Sequence, residues 1–129
     1  MSKIVLVEDD AMLAELYQTR LKLAGYDCLV ANDGLSGLLL IEKELPDLVL
    51  LDLMLPNLSG DDILRRMRAT DWGKNVKAIF LTNISESEAP DGIKELGFER
   101  YIVKADLANN QLAEIVNETL KETEPKQHA

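Results

Sequence analysis

Five residues scattered along the chain are of types that can do chemistry together, and each stands at the end of a short apolar run. They are Glu8 and Asp9 in KIVLVEDD, Asp52 in DLVLLDLMLP, Thr82 in IFLTN and Lys104 in YIVKAD. Brought to one place, they would offer three carboxylates, a hydroxyl and an ammonium. Carboxylates that close raise one another's pKa unless an opposite charge intervenes. An all-oxygen cluster that keeps open positions suits Mg²⁺ better than zinc or copper. An aspartate nucleophile beside a cation, an ammonium and a hydroxyl has what attack on a phosphohistidine or a small phosphodonor requires, because charge in that loose transition state sits on the equatorial oxygens. A hydrophobic run ends in repelling acids because a cation belongs there.

The elements that must position these groups follow from periodicity. Nearly all-apolar runs at 4–7, 28–31, 48–51, 78–81 and 101–103 read as strands covered on both faces. Amphipathic helices alternate with them. Leu13, Leu16, Tyr17, Leu21 and Ala24 mark the first, capped by Gly25; Leu38, Ile41 and Leu45 mark the second, closed by Pro46. Ile63 and Met67 lie in the third, Ile93 and Leu96 in the fourth before Gly97, and Leu112, Ile115, Val116, Thr119 and Leu120 in the fifth. Five strand-then-helix units predict an α/β fold: a five-stranded parallel sheet of order 2-1-3-4-5, flavodoxin-like and doubly wound, (βα)5. Ligands of such sheets bind beyond the carboxyl ends of the strands, where all five residues stand. The fourth helix is expected to be the least stable, because Pro90 and Gly92 lie near its start.

The motifs resemble the response-regulator receiver domains of bacterial two-component signalling, of the chemotaxis-receiver type. The resemblance runs from KIVLVEDD through DLVLLDLMLPNLSG and IFLTN to YIVK, with thirty positions from Asp52 to Thr82 and twenty-two from Thr82 to Lys104. It implies that Asp52 accepts a phosphoryl group from a sensor histidine kinase or phosphotransfer protein. Glu8, Asp9, Asp52 and the Met54 carbonyl would hold Mg²⁺, directly or through water, and Lys104 and Thr82 would contact phosphoryl oxygens. Thr82 and Tyr101 would act as switch residues, changing a partner-binding surface around the fourth helix, fifth strand and fifth helix. In receivers, Met54 and Ile84 occupy the places that flank the approach of water to the phosphoryl group; both are apolar, so slow dephosphorylation is expected. Ala105 stands where a proline commonly follows the lysine, and Asn83 where a small residue is usual.

Three other readings fit these residues less well. A haloacid-dehalogenase-type, Mg²⁺-dependent phosphatase has a second aspartate where this chain has Met54, which cannot transfer a proton. A flavodoxin-like cofactor binder would need a phosphate-binding loop where EDDAM offers negative charge. A degenerate receiver would have lost Asp52 or Lys104. Among single residues, Asp10 reads as the N-cap of the first helix, Cys28 as a small buried apolar residue, Trp72 as a loop cover and His128 as part of a solvated tail.

Composition narrows the class further. The 129 residues fit one domain, with the receiver at 1–122 and a polar C-terminal tail at 123–129. A net charge of −9 argues against direct nucleic-acid or anionic-membrane binding, since both need a basic surface. One cysteine cannot form an internal disulfide, and no run is long and apolar enough for a membrane span, so a cytoplasmic, stand-alone signalling protein with a separate downstream protein partner is the expectation. The resemblance implies a phosphoacceptor that promotes its own phosphotransfer and is not an enzyme.

Overall fold

β1 (Lys3–Val7) lies inside a five-stranded parallel sheet of order β2-β1-β3-β4-β5, with β2 (Asp27–Ala31), β3 (Leu48–Leu51), β4 (Lys77–Thr82) and β5 (Arg100–Val103). The computed structural model describes residues 2–108 and 110–122, so the expected tail and His128 lie outside the described residues. Register places the chemistry. Val7 is level with Leu51, so Glu8 and Asp52 leave neighbouring strands side by side. Thr82 is level with Val103, so Lys104 follows one step beyond it.

Successive strand residues point to opposite faces, which splits the apolar runs between two cores. Ile4, Leu6, Leu50, Ile79 and Leu81 pack with Ala14, Tyr17 and Leu21 of α1 (Ala11–Leu23) and with Leu112 and Val116 of α4 (Gln111–Lys121). Val5, Val7, Val49, Leu51 and Phe80 pack with Ile41 of α2 (Gly34–Glu44) and with Ile63, Leu64 and Met67 of α3 (Gly60–Arg68). Cys28 is buried in the first core, and Trp72 packs partly buried against the second. Truncating any of the large fully buried side chains to alanine costs about 2–5 kcal/mol.

The local signals act as anticipated at the start of α1. The Asp10 carboxylate accepts from the Met12 and Leu13 N–H groups at 3.0 and 3.1 Å, and Gly25 follows the helix at φ 99°. Two marker residues behave differently. Leu16 is exposed, and Leu45 leaves the end of α2 in the left-handed region at φ 46° with its side chain in solvent.

The fourth helix is the real departure. In its place the chain makes two short 3-10 turns, Glu86–Glu88 and Ile93–Leu96. Gly92 at φ 81° and Gly97 at φ 74° bound a stretch of only four residues, too short for an α-helix, and neither turn has a side-chain cap. Ile93 still reaches the second core, so the apolar position is used without the helix. After β5 a further 3-10 turn, Lys104–Asp106, carries the chain toward α4.

Candidate functional site

Lys104 is the keystone of the carboxyl edge. Its ammonium donates to Asp52 Oδ2 at 2.7 Å and lies 2.6 Å from Glu8 Oε1, and all three side chains are buried. The second oxygen of each acid is met by backbone: the Asp10 N–H donates to Glu8 Oε2 and the Met54 N–H to Asp52 Oδ1, both at 3.1 Å. The loop carrying Met54 is held by a close approach. A Cβ on Gly60 would lie 2.1 Å from the Asp52 carbonyl oxygen, so only glycine fits there. Asn32 secures the other acid by donating to the Glu8 carbonyl at 3.0 Å. Neither Asn32 nor Gly60 was marked by sequence reasoning; the glycine of LPNLSG is the one signal that pointed to it.

The cluster is richer in negative charge than one ammonium can offset. Burial pushes the Glu8 carboxyl above its usual range, although Lys104 and the Asp10 N–H pull it down. Burial works against the Lys104 ammonium too, but its contacts with Asp52 and Glu8 outweigh that and its pKa is raised. The lysine therefore stays charged, while burial keeps the Glu8 carboxylate only partly compensated.

Glu8, Asp9 and Asp52 can bring carboxylate oxygens within 4.8 Å of one another. Glu8 Oε1 is fully buried, with the Lys104 ammonium 2.6 Å away. Three carboxylates converging as an all-oxygen donor set around a single ammonium fit a hard divalent cation such as Mg²⁺. The cluster opens into a cavity of about 250 Å³ with Leu13, Met54 and Asn83 on its wall.

The remaining expected residues sit close by but face elsewhere. Thr82 is fully buried at the end of β4, its hydroxyl 3.4 Å from the Ile84 N–H. The Tyr101 hydroxyl donates to the Ile84 carbonyl at 2.7 Å and lies 3.3 Å from that of Ser85, so the ring is turned toward the fourth crossover, residues 83–99 between β4 and β5. Burial, reinforced by Glu86, Asp52 and Glu88, raises the Tyr101 pKa. Ile84 packs against the second core; the cavity wall is made by Asn83 and Met54.

Comparison with known proteins agrees with this fold. The chain is 39% identical over 103 residues to a probable transcriptional regulator, ycf27, of Porphyridium aerugineum, covering 79% of this chain and 41% of the relative. It is 35% identical over 101 residues to the phosphate regulon transcriptional regulatory protein PhoB of Pseudomonas aeruginosa, covering 78% and 44%. The chain thus spans less than half the length of these relatives. Among solved structures, the receiver domain of a Pseudomonas aeruginosa sensor histidine kinase, with a magnesium ion coordinated in its active-site cleft, superposes with a TM-score of 0.84 at 26% identity, covering 94% of this chain and 98% of that one. A receiver domain of a Francisella response regulator matches with a TM-score of 0.84 at 27% identity, covering 96% and 100%. Among the described residues no helix is long and apolar enough to cross a membrane. Residues 4–117 match the family model of the response regulator receiver domain, and the chain belongs to that family, the phosphorylation-dependent signalling modules of two-component systems.

Proposed function

We propose that Asp52 accepts a phosphoryl group from a phosphohistidine on a sensor kinase or phosphotransfer protein. The observation that carries this reading is the buried Asp52 carboxylate 2.7 Å from the Lys104 ammonium, beside Glu8 and Asp9. A carboxylate oxygen of Asp52 forms the new P–O bond while the P–N bond to imidazole breaks, and the imidazole keeps the electron pair. Glu8, Asp9, Asp52 and the Met54 carbonyl would hold Mg²⁺, which when bound supplies positive charge against the acids and the phosphoryl oxygens. Lys104 holds Asp52 in place beforehand and is within reach of a phosphoryl oxygen afterwards. Donors fixed before the reaction stabilise developing charge without reorganising.

The Thr82 hydroxyl, at the end of the next strand, is the second group for the new oxygens. Drawing Thr82 inward disturbs Ile84 and Ser85, whose carbonyls Tyr101 holds, and so alters the surface formed by the fourth crossover, β5 and α4. The target of that surface is a protein, since a net charge of −9 keeps this domain off a phosphate backbone. Met54 on the cavity wall offers water no hydrogen bond, which favours a long-lived signal. The domain promotes its own modification and turns over no separate substrate.

The direct test is transfer from a panel of phosphorylated histidine kinases, followed by intact mass. One kinase should load the wild type rapidly, and Asp52→Asn should take up nothing. Equal loading of Asp52→Asn moves the acceptor to another residue.

A further inference from the structure

Arg68, the last residue of α3, directs its guanidinium at backbone. Nε donates to the Leu96 carbonyl and Nη2 to that of Gly97, both at 2.8 Å. Nη1 donates to the Gly73 carbonyl at 2.8 Å and the Val76 carbonyl at 2.7 Å. One side chain thereby joins two segments, the loop between α3 and β4 and the C-terminal end of the fourth crossover. The planar fork fixes their relative position in a way that a single-point cation cannot. Just beyond, Glu99 is locked to β4: its N–H donates to the Ala78 carbonyl at 2.8 Å and its carboxylate accepts from the Ala78 N–H at 3.0 Å.

The other end of the crossover is held differently. There the Tyr101 hydroxyl makes a neutral hydrogen bond to the Ile84 carbonyl. Charge-assisted bonds are roughly twice as strong as neutral ones, and Arg68 makes two to the C-terminal end alone. Between the tethers Ile93 is the buried anchor, while Gly92 and Gly97, both at positive φ, can absorb rotation on either side of Ile93–Leu96.

We infer that Arg68 is a positioning residue that pins the C-terminal end of the fourth crossover, so that switching swings the crossover about Leu96 and Gly97 and displaces only its Tyr101 end. What starts the motion rests on the proposed role of Asp52; the anchor itself does not.

Hydrogen exchange on the full chain without phosphodonor tests the anchor alone. In Arg68→Met, which keeps most of the apolar stem, exchange over residues 93–99 should rise about tenfold while β1 and β3 stay as in the wild type, the signature of a local opening. Arg68→Lys keeps the charge but not the fork, and should show the same regional rise. Wild-type protection of 93–99 in either variant, or an equal rise throughout the sheet, overturns the anchor. Amide NMR with Mg²⁺ and beryllofluoride then tests the swing. Shifts in the wild type should cover 83–92 and stop before Leu96, and in Arg68→Met they should extend to Glu99. Wild-type shifts that already run through 96–99 overturn the pivot. A wild type with no response at all counts against Asp52 as acceptor, while the exchange result still decides the anchor.

Discussion

The carboxyl edge of the sheet has two halves held by different forces. On the β1 and β3 side, Glu8 and Asp52, with the Lys104 side chain reaching across from the end of β5, are buried and bonded to one another or to backbone N–H groups. On the β4 and β5 side, residues 83–99 form two uncapped 3-10 turns with mostly exposed side chains. The difference separates two tasks. Groups that stabilise developing charge must be fixed before the reaction, whereas an element that reports must come from the low-stability end of the fold.

Thiol labelling should separate the halves most widely. Cys28 is fully buried in β2, so it reacts only through global opening; with a typical stability of about 5 kcal/mol or more, labelling is slowed at least ~10³-fold. Ser87→Cys in a Cys28→Val background should label at nearly the rate of a free peptide thiol. Comparable rates at the two positions would erase the distinction.

Next in size is the loss of the keystone cation. Lys104→Ala leaves two buried acids uncompensated and should cost about 3 kcal/mol in metal-free chemical denaturation, with the chain still folded. Mg²⁺ should restore more stability to this variant than to the wild type. Tyr101→Phe, on the reporting side, should cost about 1 kcal/mol or less. If the two variants unfold at the same denaturant concentration, the chemical half is no more tightly held than the reporting half. Phosphorylated Lys104→Ala should also fail to bind the partner of the wild type.

The lifetime of the phosphoryl group sharpens the same contrast. Met54 is on the cavity wall and Ile84 is packed toward the crossover. Met54→Asn should therefore speed decay about tenfold by orienting water, and Ile84→Glu alone should do less. The check is decay of phosphorylated Asp52 in excess Mg²⁺ after donor removal; a larger effect from Ile84→Glu would mean that water approaches from the crossover side.

The smallest effect is in alkali. Burial pushes the Cys28 thiol from 9.0 up to about 11. A folded-state pKa above the unfolded one favours the protonated folded form, so this stabilisation is complete below pH 9.0 and lost as pH rises through about 11. Relative to Cys28→Val, the wild type should lose about 1 kcal/mol by pH 10 in denaturation curves. Parallel curves would mean that β2 opens readily.

The halves also differed in how legible they were. The strands and the cluster could be read because both faces of the sheet are covered, which makes the runs at 4–7 and 48–51 continuously apolar and leaves their terminal acids conspicuous. Topology then brought Glu8, Asp9, Asp52 and Lys104 together. The fourth crossover misled because Ile93 and Leu96 have helical spacing, while the termination rests on Gly92 and Gly97 adopting positive φ, which a glycine permits but does not announce. Arg68 was invisible for another reason. Its partners are four backbone carbonyls, and a carbonyl has no letter in the sequence. The turn of Tyr101 toward Ile84 depends likewise on a backbone acceptor.

The pairing of Lys104 with Glu8 and Asp52 has a consequence for the order in which the protein is made. During vectorial synthesis both acids leave the ribosome long before the lysine, and β1 can pair with β2 and β3 as soon as those strands emerge. Until residue 104 appears, the nascent sheet carries its acids without their ammonium, at the edge where neighbouring strands have already met. A partly made chain therefore has to hold these carboxylates hydrated, protonated or neutralised by a soluble cation. The protein's own cation reaches the site only when β5 docks, so the share of the charge that Lys104 offsets is among the last features of the domain to be completed.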